Sequence, residues 1–116
     1  MQLVEAAFFT PDVEGMTVFY RALLGAAPVA ESPDMAIFMA GGTKIFIHRT
    51  YEAGEGALPP ENHLAFSVPD VDAACASLQA AGVAVQTPAQ DYYWGRSAYL
   101  RAPDGQLIEL IQEKRD

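Results

Sequence analysis

One short phrase occurs twice in this chain, half a length apart, and this repetition limits the available folds more than any other feature. Residues 8–13 read FFTPDV and residues 66–71 read FSVPDV, an offset of 58 within 116 residues. Each phrase leads into a helix-period pattern. Met16, Phe19, Tyr20, Leu23 and Leu24 fall at i, i+3, i+4, i+7 and i+8 in the first copy; Val71, Ala74, Cys75 and Leu78 fall at i, i+3, i+4 and i+7 in the second. Asp12 and Asp70 are natural N-caps, whose carboxylates accept orphan N–H groups of a first turn. Gly25 and Gly82 stand where a left-handed residue ends a helix. The pattern predicts one supersecondary unit used twice.

Short strand patterns surround both helices. Residues 3–9 precede the first, and 28–31, 35–40 and 43–49 follow it, separated by Ser32-Pro33-Asp34 and Gly41-Gly42 turns. Residues 63–68 precede the second helix, and 83–87, 97–101 and 106–112 follow it, the last after a Pro103-Asp104-Gly105 turn. Each half therefore reads βαβββ, which predicts a single α+β domain spanning 1–116. Its two modules cover 1–49 and 62–116, and a linker over 50–61 carries Gly54, Gly56, Pro59 and Pro60. Four strands and one helix bury only one sheet face, so a half is not expected to stand alone. Paired halves would set the concave faces of their sheets around a shared cleft.

Charge narrows the partners. Seven Lys plus Arg against fifteen Asp plus Glu give a net charge of −8. Nucleic acid and anionic membrane surfaces need a basic face to displace counterions, so neither is an expected partner, whereas a cationic ligand is compatible. The single cysteine, Cys75, excludes an intramolecular disulfide and fits a reducing compartment; its place on the apolar helix face assigns it to packing. The first twenty residues hold no Lys or Arg but include Glu5, Asp12 and Glu14, unlike a targeting signal. No apolar run is long enough to span a membrane. A soluble, cytoplasmic protein is the expectation.

The candidate chemistry rests on few residues. His63 lies three positions before Phe66, and the repeat offset carries it onto Glu5, three before Phe8. His48, the other of two histidines, sits late in the fourth strand of the first half, where alternation sets Lys44, Phe46 and His48 on one face. Glu109 sits in the fourth strand of the second half, within LIELI, where a carboxylate is unexpected unless paired or ligated. Each has a plain alternative: a hydrogen-bonded or solvated histidine, an exposed Glu5, a Glu109 that faces water or pairs with Arg101. Together, two imidazoles and two carboxylates on first and fourth strands make an N₂O₂ set suited to a divalent cation.

The paired βαβββ halves, with PDV…FYRALLG, NHLAFSVPDV and APDGQLIELIQ, resemble the vicinal oxygen chelate superfamily across nearly the whole chain. Its members include glyoxalase I, extradiol dioxygenases, methylmalonyl-CoA epimerase, fosfomycin-resistance enzymes and bleomycin-binding proteins. The resemblance implies paired half-barrels forming a metal-binding cleft, with Glu5, His48, His63 and Glu109 at the ligand positions and one divalent ion (Zn, Ni, Co, Mn or Fe) per site. It implies a glyoxalase I-like lyase or isomerase acting on a small oxygen-chelating substrate, with Glu109 as general base and Glu5 as a candidate second base. Phe9 and Glu52 fall where glyoxalase I places polar residues that grip glutathione, so a glutathione-linked substrate is not expected.

Two alternatives stay open: a bleomycin-type resistance protein that sequesters a drug, and an extradiol-type dioxygenase, which Glu at position 5 disfavours. Phe9, Phe46, Tyr92, Tyr93, Trp94 and Arg96 are the candidate substrate contacts, the last four expected in a loop before the seventh strand. Arg21 is the other basic residue considered near substrate, with a surface ion pair as its alternative. Small relatives commonly form homodimers with clefts across the interface. The same is expected here, with Glu5 and His48 from one chain and His63 and Glu109 from its partner; the alternative joins both halves within one chain.

Overall fold

The computed structural model describes residues 1–54, 58 and 60–113. Of the expected linker, Gly56 and Pro59 lie outside the described residues, and its described residues hold no helix or strand. The fold is α+β. Its strands are β1 (Gln2–Thr10), β2 (Ala30–Ser32), β3 (Met35–Ala40), β4 (Thr43–Arg49), β5 (His63–Ser67), β6 (Ala84–Tyr92), β7 (Gly95–Arg101) and β8 (Leu107–Glu113). Helix α1 (Val13–Leu24) follows β1, and α2 (Val71–Ala80) follows β5. Hydrogen-bonded strand order is β2-β3-β4-β1 in the first half and β5-β8-β7-β6 in the second. Contacts divide the chain into two compact units: Glu5–Asn62, and Met1–Val4 together with the residues from His63 onward.

The first unit is built as its sequence pattern dictates. The Asp12 carboxylate accepts the Gly15 N–H at 2.9 Å and starts α1. The helix ends at Gly25, whose φ of +65° lets its N–H reach the Arg21 carbonyl at 3.0 Å. Strand β1 runs parallel to β4 with Glu5 opposite Lys44 and Phe9 opposite His48. Strand β3 pairs antiparallel to β4, Ile37 opposite Phe46 and Met35 opposite His48. Val13, Ala36, Phe38 and Ile47 make the core under α1, with Met16, Tyr20, Leu24 and Ile45 packed around it. Ile45 and Ile47 therefore take the helix side of β4, and alternation turns Lys44, Phe46 and His48 to the other face.

The second unit repeats the design. The Asp70 carboxylate accepts the Ala73 N–H at 3.0 Å, and the Gln112 side-chain oxygen accepts the Val71 N–H at 2.9 Å. Strand β5 runs parallel to β8, with His63 opposite Leu107 and Ala65 opposite Glu109; β7 pairs antiparallel to β8, with Tyr99 opposite Glu109. Val68, Val71, Cys75, Ala98, Leu100 and Leu110 form the core on the helix side. The opposite face is buried as well: Ala65, Ser97, Tyr99, Leu107 and Glu109 are all nearly inaccessible. Burial pushes the Cys75 thiol above its ordinary value.

Strand β6 is longer than its sequence pattern predicts. Residues 83–87 mark it by periodicity, yet it continues through the polar stretch to Tyr92 and turns tightly into Gly95. Pro88 is tolerated because β6 is the edge strand, and the register shifts between Val85 and Gln90. Tyr92 thus belongs to a strand, not to a loop.

Candidate metal centre

The polar core of the second unit is built on three adjacent strands. His63 opens β5, Glu109 lies mid-β8, and the two stand on the sheet face away from α2, two residues out of step in the parallel register. Their side chains are 11% and 6% exposed, and His63 Nε2 lies 3.4 Å from Glu109 Oε1. The other carboxylate oxygen, Oε2, accepts the Ser97 hydroxyl at 2.8 Å. Ser97 Oγ in turn accepts the Trp94 indole N–H at 3.0 Å. The Tyr99 ring meets His63 edge-on, with centroids 6.2 Å apart.

This arrangement answers the question that LIELI raises. Among the described residues the polar partners of Glu109 are Ser97 and His63, so it is buried against an imidazole and a hydroxyl, not against Arg101. Arg101 instead bonds the Gly105 carbonyl and the Gln86 side chain. His63 and Glu109 each offer one ligand atom within the second unit, and Glu5, which the repeat matches to His63, belongs to the first. Two atoms bound to one Zn²⁺-like ion at about 2.1 Å stand about 3.0–3.4 Å apart, the spacing His63 and Glu109 already have. An imidazole beside a buried carboxylate is a donor pair suited to a divalent ion, so the residues present fit the group.

His48 is the expected ligand that stands apart. It shares a sheet face with Glu5 in the first unit, but the register places it opposite Phe9, four residues farther along. At strand spacing that is about 13 Å. The place that matches Glu109 is taken by Phe46, because Phe46 is two residues past the partner of Glu5 just as Glu109 is two past the partner of His63. His48 Nδ1 lies 2.7 Å from the Arg49 carbonyl, and its ring contacts Phe9, Phe46 and Tyr51 at centroid distances of 5.7–5.8 Å. Phe9 and Phe46, expected substrate contacts, are thus gathered with His48 and Tyr51 into one cluster of rings.

The aromatic run divides three ways. Tyr92 stacks on Trp94 at 4.4 Å with nearly parallel planes, and burial raises its phenol above the ordinary value. Tyr93 is 85% exposed and meets Trp94 edge-on. Trp94 points its N–H inward to Ser97, a partner that sequence spacing alone does not reveal. Arg96 is clamped by Asp72 at 2.8 and 3.0 Å and by Asp91 at 3.2 Å, which raises the guanidinium further and holds the Asp72 carboxyl below its usual range. Arg21 reaches Glu31 at 3.6 Å, both half-exposed.

The family model for the Glyoxalase/Bleomycin resistance protein/Dioxygenase superfamily matches residues 2–110. No curated protein matches the chain significantly. Among solved structures, the chain is similar to one described as NAD-dependent benzaldehyde dehydrogenase from Legionella pneumophila, with TM-score 0.72, 21% identity, and 95% of this chain and 98% of that chain covered. It is similar to a superfamily member from Vibrio splendidus 12B01, with TM-score 0.68, 17% identity, and 97% and 98% covered. A variant of Streptomyces coelicolor methylmalonyl-CoA epimerase, in complex with 2-nitronate-propionyl-CoA, gives TM-score 0.66 at 21% identity, with 99% of each chain covered. At these identities the likeness carries the fold, and none of the three activities. The family match decides membership: the chain belongs to the Glyoxalase/Bleomycin resistance protein/Dioxygenase superfamily.

Proposed function

We propose that this protein is a metal-dependent enzyme of the lyase and isomerase side of its superfamily, acting on a small substrate that offers two neighbouring oxygens. The observation that carries the reading is the buried His63–Glu109 pair at ligand spacing. Glu5, His63 and Glu109 would hold a divalent ion, which would supply a Lewis acid for the charge developing on the substrate oxygens. The chain supplies the proton chemistry. Glu109, released from the ion, would be the general base at a carbon beside a carbonyl, with Ser97 keeping hold of its other oxygen. Glu5 is the second base. Tyr99, nearly inaccessible beside Glu109, excludes water from that side. Phe9, which stands where a glutathione-gripping polar residue would, makes a glutathione-linked substrate a poor fit.

The site is further proposed to work in a homodimer with small molecules as its partners, in a reducing, cytoplasmic setting. Among the described residues no helix is long and apolar enough to cross a membrane. Incubating the metal-loaded protein in D₂O with small 2-oxo and 2-hydroxy carbonyl compounds tests the reaction class. Deuterium should enter beside the carbonyl of the true substrate class and fail to do so in Glu109→Gln.

One observation favours a second reading, drug sequestration. The Phe9, Phe46, His48 and Tyr51 rings gather on one face of a protein of net charge −8, a combination that attracts a cationic aromatic ligand. Absence of exchange by the metal-loaded chain, beside tight binding of a cationic glycopeptide, would transfer the assignment to it. The dioxygenase reading needs a second histidine among the ligands, and position 5 carries Glu.

A further inference from the structure

The metal reading assigns no task to Trp94 and uses Ser97 only as a holder of one Glu109 oxygen, yet both are connected to Glu109 by a chain of hydrogen bonds with a fixed direction. An indole N–H can only donate, so Ser97 Oγ is the acceptor in the 3.0 Å contact with Trp94 Nε1. With its oxygen so occupied, the hydroxyl proton is directed to the nearest carboxylate oxygen, Glu109 Oε2 at 2.8 Å. Ser97 is fully buried, so water does not compete for that proton. The remaining oxygen, Oε1, is the one that faces His63.

The indole is itself held. Tyr92 lies against one face at 4.4 Å and Tyr93 meets it edge-on at 4.8 Å. Gln90 donates to the Tyr92 hydroxyl at 2.7 Å and pairs across the hairpin with Ser97. The tight turn from Tyr92 to Gly95 therefore places the indole, the indole orients the hydroxyl, and the hydroxyl orients the carboxylate.

We infer that Trp94 and Ser97 are positioning residues that lock Glu109 with one oxygen presented beside His63, so that a divalent cation meets a preorganised ligand. This rests on the metal-centre reading above. Outer hydrogen bonds of this kind are worth about 10- to 100-fold in metal affinity. Ser97→Ala should fall in that range, and Trp94→Phe, which keeps the ring but loses the N–H, should fall at or below its lower end. Because the indole acts through the serine, the Trp94→Phe effect should vanish in a Ser97→Ala background.

The test is a double-mutant cycle on Co²⁺ affinity, read by calorimetry on the full chain, with side-chain NMR of the indole N–H of Trp94, the chain's only tryptophan. Non-additive losses, together with a Ser97→Ala shift of the indole resonance, support the relay. Co²⁺ affinity unchanged in both single variants, or strictly additive losses, overturns it while the metal centre stands. A wild-type chain that takes up no Co²⁺, with the indole still coupled to Ser97, overturns the metal centre itself and removes the relay's assigned task. Should Ser97→Ala fail to fold, Trp94→Phe alone decides, and unchanged affinity there overturns the relay.

Discussion

The two modules share one plan and carry different residues on the face away from the helix. Matched by register, Glu5 corresponds to His63, Phe46 to Glu109, Ile37 to Tyr99 and Met35 to Ser97. On the face away from its helix, the second module carries a buried polar chain: imidazole, carboxylate, hydroxyl, indole. The first carries one carboxylate and then a cluster of rings around His48. The helix-side cores remain alike, an aliphatic and aromatic layer under a capped helix in both. The helix-side core is thus common to both modules, and the opposite face is where they differ. Register on the sheet defines which positions of the two modules correspond, and the residues standing there differ in chemistry.

The widest contrast is Glu109 against Phe46. Glu109→Gln should lower turnover by about 10²–10⁴-fold, the range of a lost general base, while Phe46→Leu should alter substrate affinity and leave the chemical step standing. Comparable losses in both would erase the distinction between the modules. The shared cores should behave alike. Phe38→Ala in the first module should cost about 3–5 kcal/mol and Leu110→Ala in the second about 2–5 kcal/mol, read from denaturant midpoints. A core change that is nearly neutral in one module would show that the halves do not rely equally on their packing.

Smaller effects sharpen the likeness. Asp12→Ala and Asp70→Ala each remove one capping hydrogen bond and should each cost about 1 kcal/mol. The smallest effect is confined to the second module. Arg96 hydrogen-bonds Asp72 and holds its carboxyl below the ordinary value, so the folded state favours the ionised form. The resulting stabilisation is present above the unfolded carboxyl's value, about pH 4, and is lost as pH falls through the depressed folded value. Both groups are in water, so the effect is slight. Melting temperatures of wild type and Arg96→Ala should separate modestly near neutrality and converge in acid.

Much of this fold is legible in the sequence because repetition and period are local signals. The doubled PDV phrase marks both helices, and alternation in TKIFIHR and LIELIQ separates the helix side of β4 and β8 from the other face. The register of non-adjacent strands is not local. The offset of 58 relates Glu5 to His63, but the partners of these residues, Lys44 and Leu107, are 63 apart. The extra five residues, invisible to pattern matching, carry the first-module match of Glu109 from Tyr51 to Phe46, and His48 matches it by neither offset. Ser97 and Trp94 were equally hidden, since a serine in a strand and a tryptophan at a turn carry no chemical signature until a carboxylate stands behind them. The length of β6 was hidden because its residues are polar and include Pro88, features that an edge strand tolerates.

The central claim is that the polar face of the second module, and not the ring cluster of the first, holds a divalent ion. Metal content of the purified protein, set beside His63→Ala and His48→Ala, tests it most directly. The account predicts one divalent ion per site in the wild type, retained in His48→Ala and lost in His63→Ala. Metal that persists without His63, or departs with His48, would contradict it.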